Sequence, residues 1–172
     1  EARLSGSIHV KSFFIIGGLL RQMLDLDHPL PLDAGIAFEQ SYGGIDGDSA
    51  SVAMFVALLS ALSGVPVRQD VAVTGALDQH GHVLPIGGTN EKIEGFFDVS
   101  ASAGFPGNPG VAIPTSNVND LMLRRDLVEA AEAGKFSVFR MERIEDSIRL
   151  FMPIEGEADP VDVILEKARN RA

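Results

Sequence analysis

Two residues of this chain have the types and settings that could support hydrolysis without a histidine. Ser49 lies in the segment Gly47-Asp48-Ser49-Ala50-Ser51, where a loop meets a long apolar helical pattern. Lys92 follows 43 residues later, after a glycine pair and at the start of a second helical pattern. A serine hydroxyl becomes an effective nucleophile only beside a base, and a neutral lysine amine can be that base. The pair therefore indicates a serine–lysine hydrolase.

The predicted setting of Ser49 also suits the stabilisation of an oxyanion. The start of a helix carries N–H groups that have no partner within the helix, together with a partial positive charge. The N–H groups of Ser49 and Ala50 are the natural donors to a developing oxyanion. An alternative for the same segment is a purely structural one, in which Asp48 or Ser49 caps the helix, because both residue types favour that position.

The role of Lys92 as a base depends on its surroundings. A lysine side chain is protonated at neutral pH unless burial disfavours its charge. The neighbours in sequence that could matter are apolar Ile93, Phe96 and Phe97 and acidic Glu91 and Glu94. The apolar group would favour a neutral amine, whereas the acidic pair would keep the amine charged. The alternative is a solvated lysine on a helix surface, which is the commoner situation for this residue type.

The other reactive residues give weaker signals. His80 and His82 flank Gly81 in a predicted turn at residues 78–81, and such a pair can bind a metal, but no third ligand is evident. His9 and His28 stand alone in the sequence. The chain contains neither the Gly-x-Ser-x-Gly nucleophile elbow nor the Walker phosphate-binding loop. We therefore expect no metal site and no ATP hydrolysis by this chain itself.

Length and composition favour a globular protein of modest size. The chain has 172 residues, of which 45% are hydrophobic, enough for a single domain with its own core spanning residues 1–172. A net charge of −10 argues against nucleic acid as a partner. No apolar run approaches the roughly 18 residues of a membrane span, and the absence of cysteine is typical of a cytoplasmic protein. The start at Glu1 rather than Met indicates a piece of a longer polypeptide.

Hydrophobic periodicity and the positions of glycine and proline predict a mixture of helices and strands. Helices are predicted over residues 12–25, 49–63, 90–103, 126–133 and 144–152, and from residue 160 onward. Strands are predicted over residues 34–40, 71–74, 82–84, 111–113 and 137–141. Because the elements do not alternate strictly, the fold class is α/β or α+β, with a mixed sheet covered by helices.

Three capping and packing expectations accompany these elements. Asn90 is predicted to cap the third helix, because its side chain can accept hydrogen bonds from the first N–H groups. Gly64 and Gly134 are predicted to end two other helices. The last helix is expected to be a tail that packs on a neighbouring molecule.

Taken together, these segments resemble the proteolytic domain of the Lon proteases. That family carries a D-G-P-S-A-G-type serine loop, a T-G strand, a G-x-V-x-P-x-G-G turn and an E-K pair. The corresponding segments here are Asp46-Gly47-Asp48-Ser49-Ala50, Thr74-Gly75-Ala76-Leu77, Gly81-His82-Val83-Leu84-Pro85-Ile86-Gly87-Gly88 and Glu91-Lys92. Their order and spacing match the family over residues 34–152. Asp48 and Ser51 replace a proline and a glycine, and residues 38–42 also differ, a pattern similar to the atypical bacterial Lon-like proteins of the LonB type.

The resemblance implies a fold, a mechanism and an assembly. The fold would be that of the Lon proteolytic domain, which is similar to domain 2 of a ribosomal small-subunit protein. Ser49 would attack a peptide carbonyl and neutral Lys92 would take its proton. Thr74 would orient the lysine amine, with Asp48 and Ala50 supporting an oxyanion site near Ser49. The family forms hexameric rings that enclose the peptidase sites. Unfolded protein or peptides enter from an ATPase module of the same polypeptide, where ATP and magnesium are expected; this domain would need no cofactor.

Two other functions come from different classes. Some DNA-repair ATPases resemble Lon in this fold and use it as a non-catalytic assembly module, in which the serine or the lysine would be lost. Both residues are present here, which favours the enzyme. A serine–lysine hydrolase of small amides would require lysine three residues after the serine, and Val52 occupies that position.

Overall fold

The protein consists of short strands and longer helices, as described by a computed structural model for residues 5–29, 33–38 and 43–172. The helices of these residues are α1 (Ser7–Met23), α2 (Ser51–Ser63), α3 (Thr89–Ser102), α4 (Arg125–Glu132), α5 (Ile144–Phe151) and α6 (Val161–Arg169), with a 3-10 helix at Thr115–Asp120. The strands are β1 (Val71–Val73), β2 (Ala76–Leu77), β3 (Val83–Leu84), β4 (Gly110–Pro114) and β5 (Ser137–Met141). None of these helices meets the length and hydropathy needed to cross a bilayer.

The strands form two separate ladders. β1, β4 and β5 make a parallel sheet with β4 in the middle, and β2 pairs with β3 in antiparallel register. The predicted α/β class is confirmed, although the parallel and antiparallel strands do not share one mixed sheet. All five residues of β4 are buried, as expected for a central strand covered on both faces.

Side chains of the central strand divide the core into two layers. Val111 and Ile113 of β4 pack with residues of α3 and α4, whereas Ala112 packs with residues of α1, α2, α5 and α6. Successive side chains of a strand point to opposite faces, so the two clusters lie on opposite sides of the sheet. The helices that flank the sheet therefore bury an apolar face each, which stabilises the strand order.

The helix around the serine motif begins later than its apolar pattern predicts. α2 starts at Ser51 rather than Ser49, because Ser49 and Ala50 form the preceding turn. It ends where predicted, with Gly64 in the left-handed region at φ +72° and its N–H donating to the Ser60 carbonyl. α1 begins at Ser7 and ends at Met23, two residues before the predicted end.

Three predictions of local structure are wrong or only partly testable. Residues 33–38 form no strand, and the rest of the predicted strand at 34–40 lies outside the described residues. Asn90 is not the cap of α3; Gly88 holds that position at φ +69°, and α3 has no side-chain cap. The last helix packs on its own chain, since Ile164 and Ala168 are fully buried in the cluster that contains α2.

Candidate active site

Three elements bring the reactive side chains together at one end of the parallel sheet. Thr74 directly follows β1, Ser49 lies in the turn before α2, and Lys92 lies in the first turns of α3. In open α/β sheets, sites form where strands reach their carboxyl ends, and Thr74 marks that end of β1. The site therefore depends on the tertiary packing of two helices against one strand end.

Ser49, Thr74 and Lys92 are within hydrogen-bonding distance of one another. Lys92 Nζ lies 3.2 Å from Ser49 Oγ and 3.2 Å from Thr74 Oγ1. A base must approach its proton donor to about 2.6–3.2 Å, so the first distance is at the upper end of the useful range. The structure thus brings together the predicted nucleophile, the predicted base and the residue expected to orient that base.

The backbone next to Thr74 holds the turn that carries Ser49. The Ser49 carbonyl accepts hydrogen bonds from the Gly75 N–H at 2.8 Å and from Thr74 Oγ1 at 3.3 Å. The Val52 N–H in turn donates to the Gly75 carbonyl at 3.2 Å. A Cβ at position 75 would lie 2.9 Å from a Val83 methyl and 3.0 Å from a Val52 methyl. Gly75 is therefore required by a close approach of strand, hairpin and helix.

The turn at Ser49 leaves backbone donors free. Gly47 has φ +99°, a conformation that favours glycine, and the Asp48 carbonyl accepts hydrogen bonds from the Ser51 N–H and the Ser51 hydroxyl. Within the described part of the chain, the N–H groups of Ser49 and Ala50 donate to no acceptor. These are the donors expected for an oxyanion, and both residues are half-buried.

Asp48 contributes to this turn through its backbone. Its carbonyl is the acceptor that starts α2, and its side chain is half-buried. Among the described residues, the Asp48 carboxylate forms no ion pair. The structural alternative, in which Asp48 or Ser49 caps the helix by its side chain, is not observed, because α2 has no side-chain cap.

The environment of Lys92 differs from the expected one. Its backbone N–H donates to the Gly88 carbonyl at 3.1 Å, yet its side chain is exposed in the single chain. Ile93, Phe96 and Phe97 do not bury the amine, because all three pack in the cluster shared with α4. Glu91 and Glu94 do not form an ion pair with Lys92 in the described residues. Among the described residues, therefore, neither the apolar neighbours enclose the amine nor the acidic neighbours pair with it.

The histidine pair of the β2–β3 turn forms a local hydrogen-bonded unit. Asp78 Oδ1 accepts from the His80 and His82 N–H groups at 2.8 and 2.9 Å, and Asp78 Oδ2 lies 2.8 Å from His82 Nδ1. Burial opposes ionisation of Asp78, but these hydrogen bonds outweigh it, so its pKa lies below the usual value. Across the described residues, no three His, Asp or Glu side chains are grouped as metal ligands.

One residue near the site has a role that sequence reasoning missed. The Asp46 carboxylate accepts hydrogen bonds from the first turn of α1, to which Ile8 and His9 belong. No local pattern reveals this contact, because the partners are 37 and 38 residues apart in sequence. His9, which stands alone in the sequence, is also buried beside this loop, at 2% exposure.

Comparison with known proteins identifies the family of the site. Residues 40–152 match the Lon protease (S16) C-terminal proteolytic domain. The chain is 41% identical over 171 residues to a Lon protease homolog of Escherichia coli, covering 99% of this chain and 29% of that protein. It is 44% identical over 147 residues to one of Haemophilus influenzae, covering 86% and 24%. Against the archaeal Lon protease of Thermococcus kodakarensis, identity is 37% over 127 residues, covering 74% and 18%. The chain thus spans less than a third of these relatives.

Proposed function

Because this chain belongs to the Lon protease (S16) family, we propose that it is a serine endopeptidase domain in which Ser49 is the nucleophile and Lys92 the general base. The observation that supports this role is the 3.2 Å separation of Lys92 Nζ and Ser49 Oγ. Thr74 Oγ1, at the same distance from Nζ, fixes the direction from which the amine approaches Ser49. The histidines take no part in this mechanism.

Acylation follows from the positions of these groups. The neutral Lys92 amine accepts the proton of the Ser49 hydroxyl as Oγ bonds to the carbonyl carbon of the scissile peptide. The oxygen of the tetrahedral intermediate takes the negative charge and accepts hydrogen bonds from the free N–H groups of Ser49 and Ala50. The Lys92 ammonium then gives its proton to the leaving amine, and an ester to Ser49 is left.

Deacylation repeats the same proton path with water as the nucleophile. The Lys92 amine, neutral again, accepts a proton from water as the water oxygen attacks the ester carbonyl. The same two N–H groups hold the second oxyanion. When the intermediate collapses, the proton returns to Ser49 Oγ and the carboxylic acid product leaves. No metal or cofactor is needed at any step.

The exposed Lys92 side chain leads to a proposal about assembly. A neutral amine requires the exclusion of water, and the single chain leaves this side chain exposed. We propose that bound substrate and a neighbouring copy in a ring, hexameric as in the family, complete the enclosure. An upstream module of the whole protein, binding ATP and magnesium, would deliver unfolded cytoplasmic proteins to this site.

Two matched substitutions in the full-length protein test the proposed dyad. Ser49→Ala removes the nucleophile, and Lys92→Arg keeps a positive charge and donors but cannot act as a base. We expect each to lower the cleavage rate of a fluorescently labelled unfolded protein by about 1000-fold or more. Ser102→Ala and Lys135→Arg, changes of the same types at exposed positions, serve as controls and should leave the rate unchanged. Wild-type cleavage by either dyad variant would disprove the proposed dyad, whereas the absence of cleavage by the wild-type protein itself would favour the non-catalytic assembly module.

A further inference from the structure

The first turn of α1 is capped by a side chain from the serine loop. Asp46 Oδ1 accepts hydrogen bonds from the Ile8 N–H at 3.0 Å and the His9 N–H at 3.1 Å. The same oxygen accepts the Gly47 N–H at 2.9 Å. α1 has no side-chain cap from its own N-cap residue, Gly6. One carboxylate therefore satisfies free donors of a helix and of the loop that leads to Ser49.

The backbone before α1 approaches the same carboxylate too closely for any side chain. The Gly6 N–H donates to the Ile45 carbonyl at 2.7 Å, and Ser5 forms a parallel bridge with Ile45. A Cβ on Gly6 would lie 2.2 Å from Asp46 Cγ. Because Gly6 has φ −74°, which any residue can adopt, the requirement for glycine comes from space and not from backbone conformation.

A second set of contacts joins α1 to the residues on either side of Ser49. The His9 ring is buried, with Nδ1 3.4 Å from the Gly47 carbonyl. The hydroxyl oxygens of Ser12 and Ser51 lie 3.3 Å apart, and both side chains are buried. Since the Ser51 hydroxyl also donates to the Asp48 carbonyl, α1 contacts the turn before and after the nucleophile.

These contacts suggest a structural device for the nucleophile, which we call the α1 latch and define as Asp46 with Gly6, Ile8 and His9. We propose that the α1 latch fixes the loop carrying Ser49, and that Asp46 is a positioning residue for the proposed reaction. This inference rests on the proposed function of Ser49. It assigns to Asp46 no contact with substrate and no proton transfer.

The chemistry of Asp46 suits this role. Hydrogen bonds from the Gly47 N–H and then the His9 N–H lower the pKa of the Asp46 carboxyl below its usual value. The group is therefore an ionised acceptor at neutral pH, and a negative charge at a helix N-terminus is favourable. Misplacing a reacting group by about 1 Å can lower a rate about 100-fold, so a small shift of this loop is enough to matter.

The test compares two variants of the full-length protein with the wild type in steady-state peptide cleavage. Asp46→Ala removes the cap of α1. Asp159→Ala is the matched control, because Asp159 accepts the Val161 N–H at the start of α6, far along the chain from Ser49. For Asp46→Ala we expect kcat to fall about 10- to 100-fold with KM within about twofold, the mark of a misplaced nucleophile and intact binding. For Asp159→Ala, kcat should stay at the wild-type value.

Gly6→Ala disturbs the contact between Asp46 and the start of α1 without removing any polar group. Its added methyl group must displace the Asp46 carboxylate, so kcat should again fall with KM unchanged. Gly17→Ala, within α1 where a Cβ meets nothing, is its control and should keep wild-type kcat. If Asp46→Ala does not fold, the comparison of Gly6→Ala with Gly17→Ala tests the proposal instead. Wild-type kcat in Gly6→Ala overturns the latch.

Amide hydrogen exchange separates failure of the latch from failure of the proposed function. In Asp46→Ala we expect faster exchange at Ile8, His9 and Gly47, a readout that needs no catalytic activity. Faster exchange with wild-type kcat overturns the positioning role and leaves Ser49 as nucleophile. Unchanged exchange at these amides overturns the latch itself. Activity in Ser49→Ala would instead disprove the proposed function, on which the positioning role depends.

Discussion

At the residue scale, the hydroxyl of Thr74 forms hydrogen bonds with both Ser49, the proposed nucleophile, and Lys92, the proposed base. A hydroxyl carries one proton, and that of Thr74 is used towards the Ser49 carbonyl at 3.3 Å. Its oxygen is then free to accept a hydrogen bond from Lys92 Nζ. Because Thr74 is buried at 7% exposure, water cannot readily substitute for either contact. In the proposed mechanism, Thr74 would therefore orient Lys92 towards Ser49, the residue whose hydroxyl Lys92 would deprotonate.

Replacement of Thr74 by valine tests this linkage, because valine has a similar shape and lacks the hydroxyl. The loss of a hydrogen bond to the amine should lower kcat about 10- to 100-fold, as expected for about 1.5–3 kcal/mol. Thr74→Ser keeps the hydroxyl and should retain most of the activity. The measurement is steady-state peptide cleavage with both variants. Equal kcat values for Val and Ser would contradict a role for the hydroxyl.

A second residue-scale prediction concerns the ion pair that precedes β1. Two hydrogen bonds from the Arg68 guanidinium, with the Asn108 N–H, lower the pKa of Asp70 from 3.8 to about 2. A carboxyl whose pKa is lower in the folded state stabilises the fold above pH 4, and this stabilisation is lost as the pH falls through about 2. The pair therefore contributes at neutral pH and not in strong acid.

Asp70→Asn should reveal this contribution as a pH-dependent difference in stability. At pH 7 we expect the variant to lose about 1 kcal/mol of unfolding free energy, after allowance for solvent screening of a partly exposed pair. The difference between variant and wild type should shrink as the pH falls towards 2. Urea unfolding at several pH values measures it. A difference that is constant from pH 7 to pH 2 would exclude the ion pair as its origin.

At the element scale, Asn90 connects α3 to the segment after the 3-10 helix. Its Oδ1 accepts the Met122 N–H at 2.9 Å and its Nδ2 donates to the Asp120 carbonyl at 3.3 Å. The neighbouring Asn117 forms a similar pair of hydrogen bonds with the backbone of Ile86, at 3.0 Å each. These amides hold the start of α3, and therefore the backbone of Lys92, against the loop that follows β4.

Asn90→Ala should lower the unfolding free energy by about 1 kcal/mol. The reason is the loss of the hydrogen bonds to Asp120 and Met122, and not the loss of a helix cap. Amide exchange distinguishes the two explanations. We expect faster exchange at Met122, with the first turn of α3 unaffected. Asn90→Asp keeps the acceptor for the Met122 N–H and should preserve its protection. Fraying of α3 in the alanine variant, with Met122 still protected, would restore the capping role that the sequence predicts.

The final helix, α6, is part of the core, so a disturbance of its packing should lower the unfolding free energy. Ile164 is fully buried among residues of α2 and α5. Ile164→Ala should lower the unfolding free energy by about 2–5 kcal/mol, because it removes apolar burial and leaves a cavity. Glu166→Ala, at an exposed position two residues further along α6, is the control with little expected effect. Chemical denaturation compares the two, and a small loss for Ile164→Ala would contradict packing of α6 on its own chain.

At the scale of the whole molecule, the exposure of Lys92 relates the proposed catalytic role of this residue to the proposed assembly. Lys92 Nζ and Ser49 Oγ are already 3.2 Å apart within one chain, whereas the Lys92 side chain is not enclosed there. Geometry and water exclusion are separate requirements, because a base must be both near its proton donor and in its neutral form. A neighbouring copy would exclude water from the amine without changing the distance between Lys92 and Ser49.

We therefore expect the specific peptidase activity of the full-length protein to depend on its concentration. Dilution below the assembly range should lower activity per chain, and the loss should follow the change in size measured by sedimentation. Mass action links the activity to the size, because dilution lowers the fraction of chains that are assembled. The Ser49→Ala protein should assemble normally. Mixed with wild type, it is the control that supplies subunits for assembly but no nucleophile. Full activity in dilute single chains would show that one chain encloses its own site.

The sequence by itself determines which residues can do chemistry and which elements carry them. Ser49, Thr74 and Lys92 are recognisable from their motifs, and most helices and strands from hydrophobic periodicity, because both signals are contained in short segments of the chain. The strand pattern at residues 34–40 is the exception. A strand needs a neighbouring partner for its hydrogen bonds, and residues 33–38 pair with no other strand in the described part of the chain.

Tertiary structure alone decides how these segments meet. The 3.2 Å approach of Lys92 to Ser49, the capping of α1 by Asp46 and the tether made by Asn90 all join positions 30 or more residues apart. Local propensity acts over a few residues and carries no information on such contacts, which depend on how the helices pack against the two faces of the sheet. The same packing leaves the Lys92 side chain exposed although Ile93 and Phe97 are close to it in sequence, because these two side chains point into the cluster shared with α4.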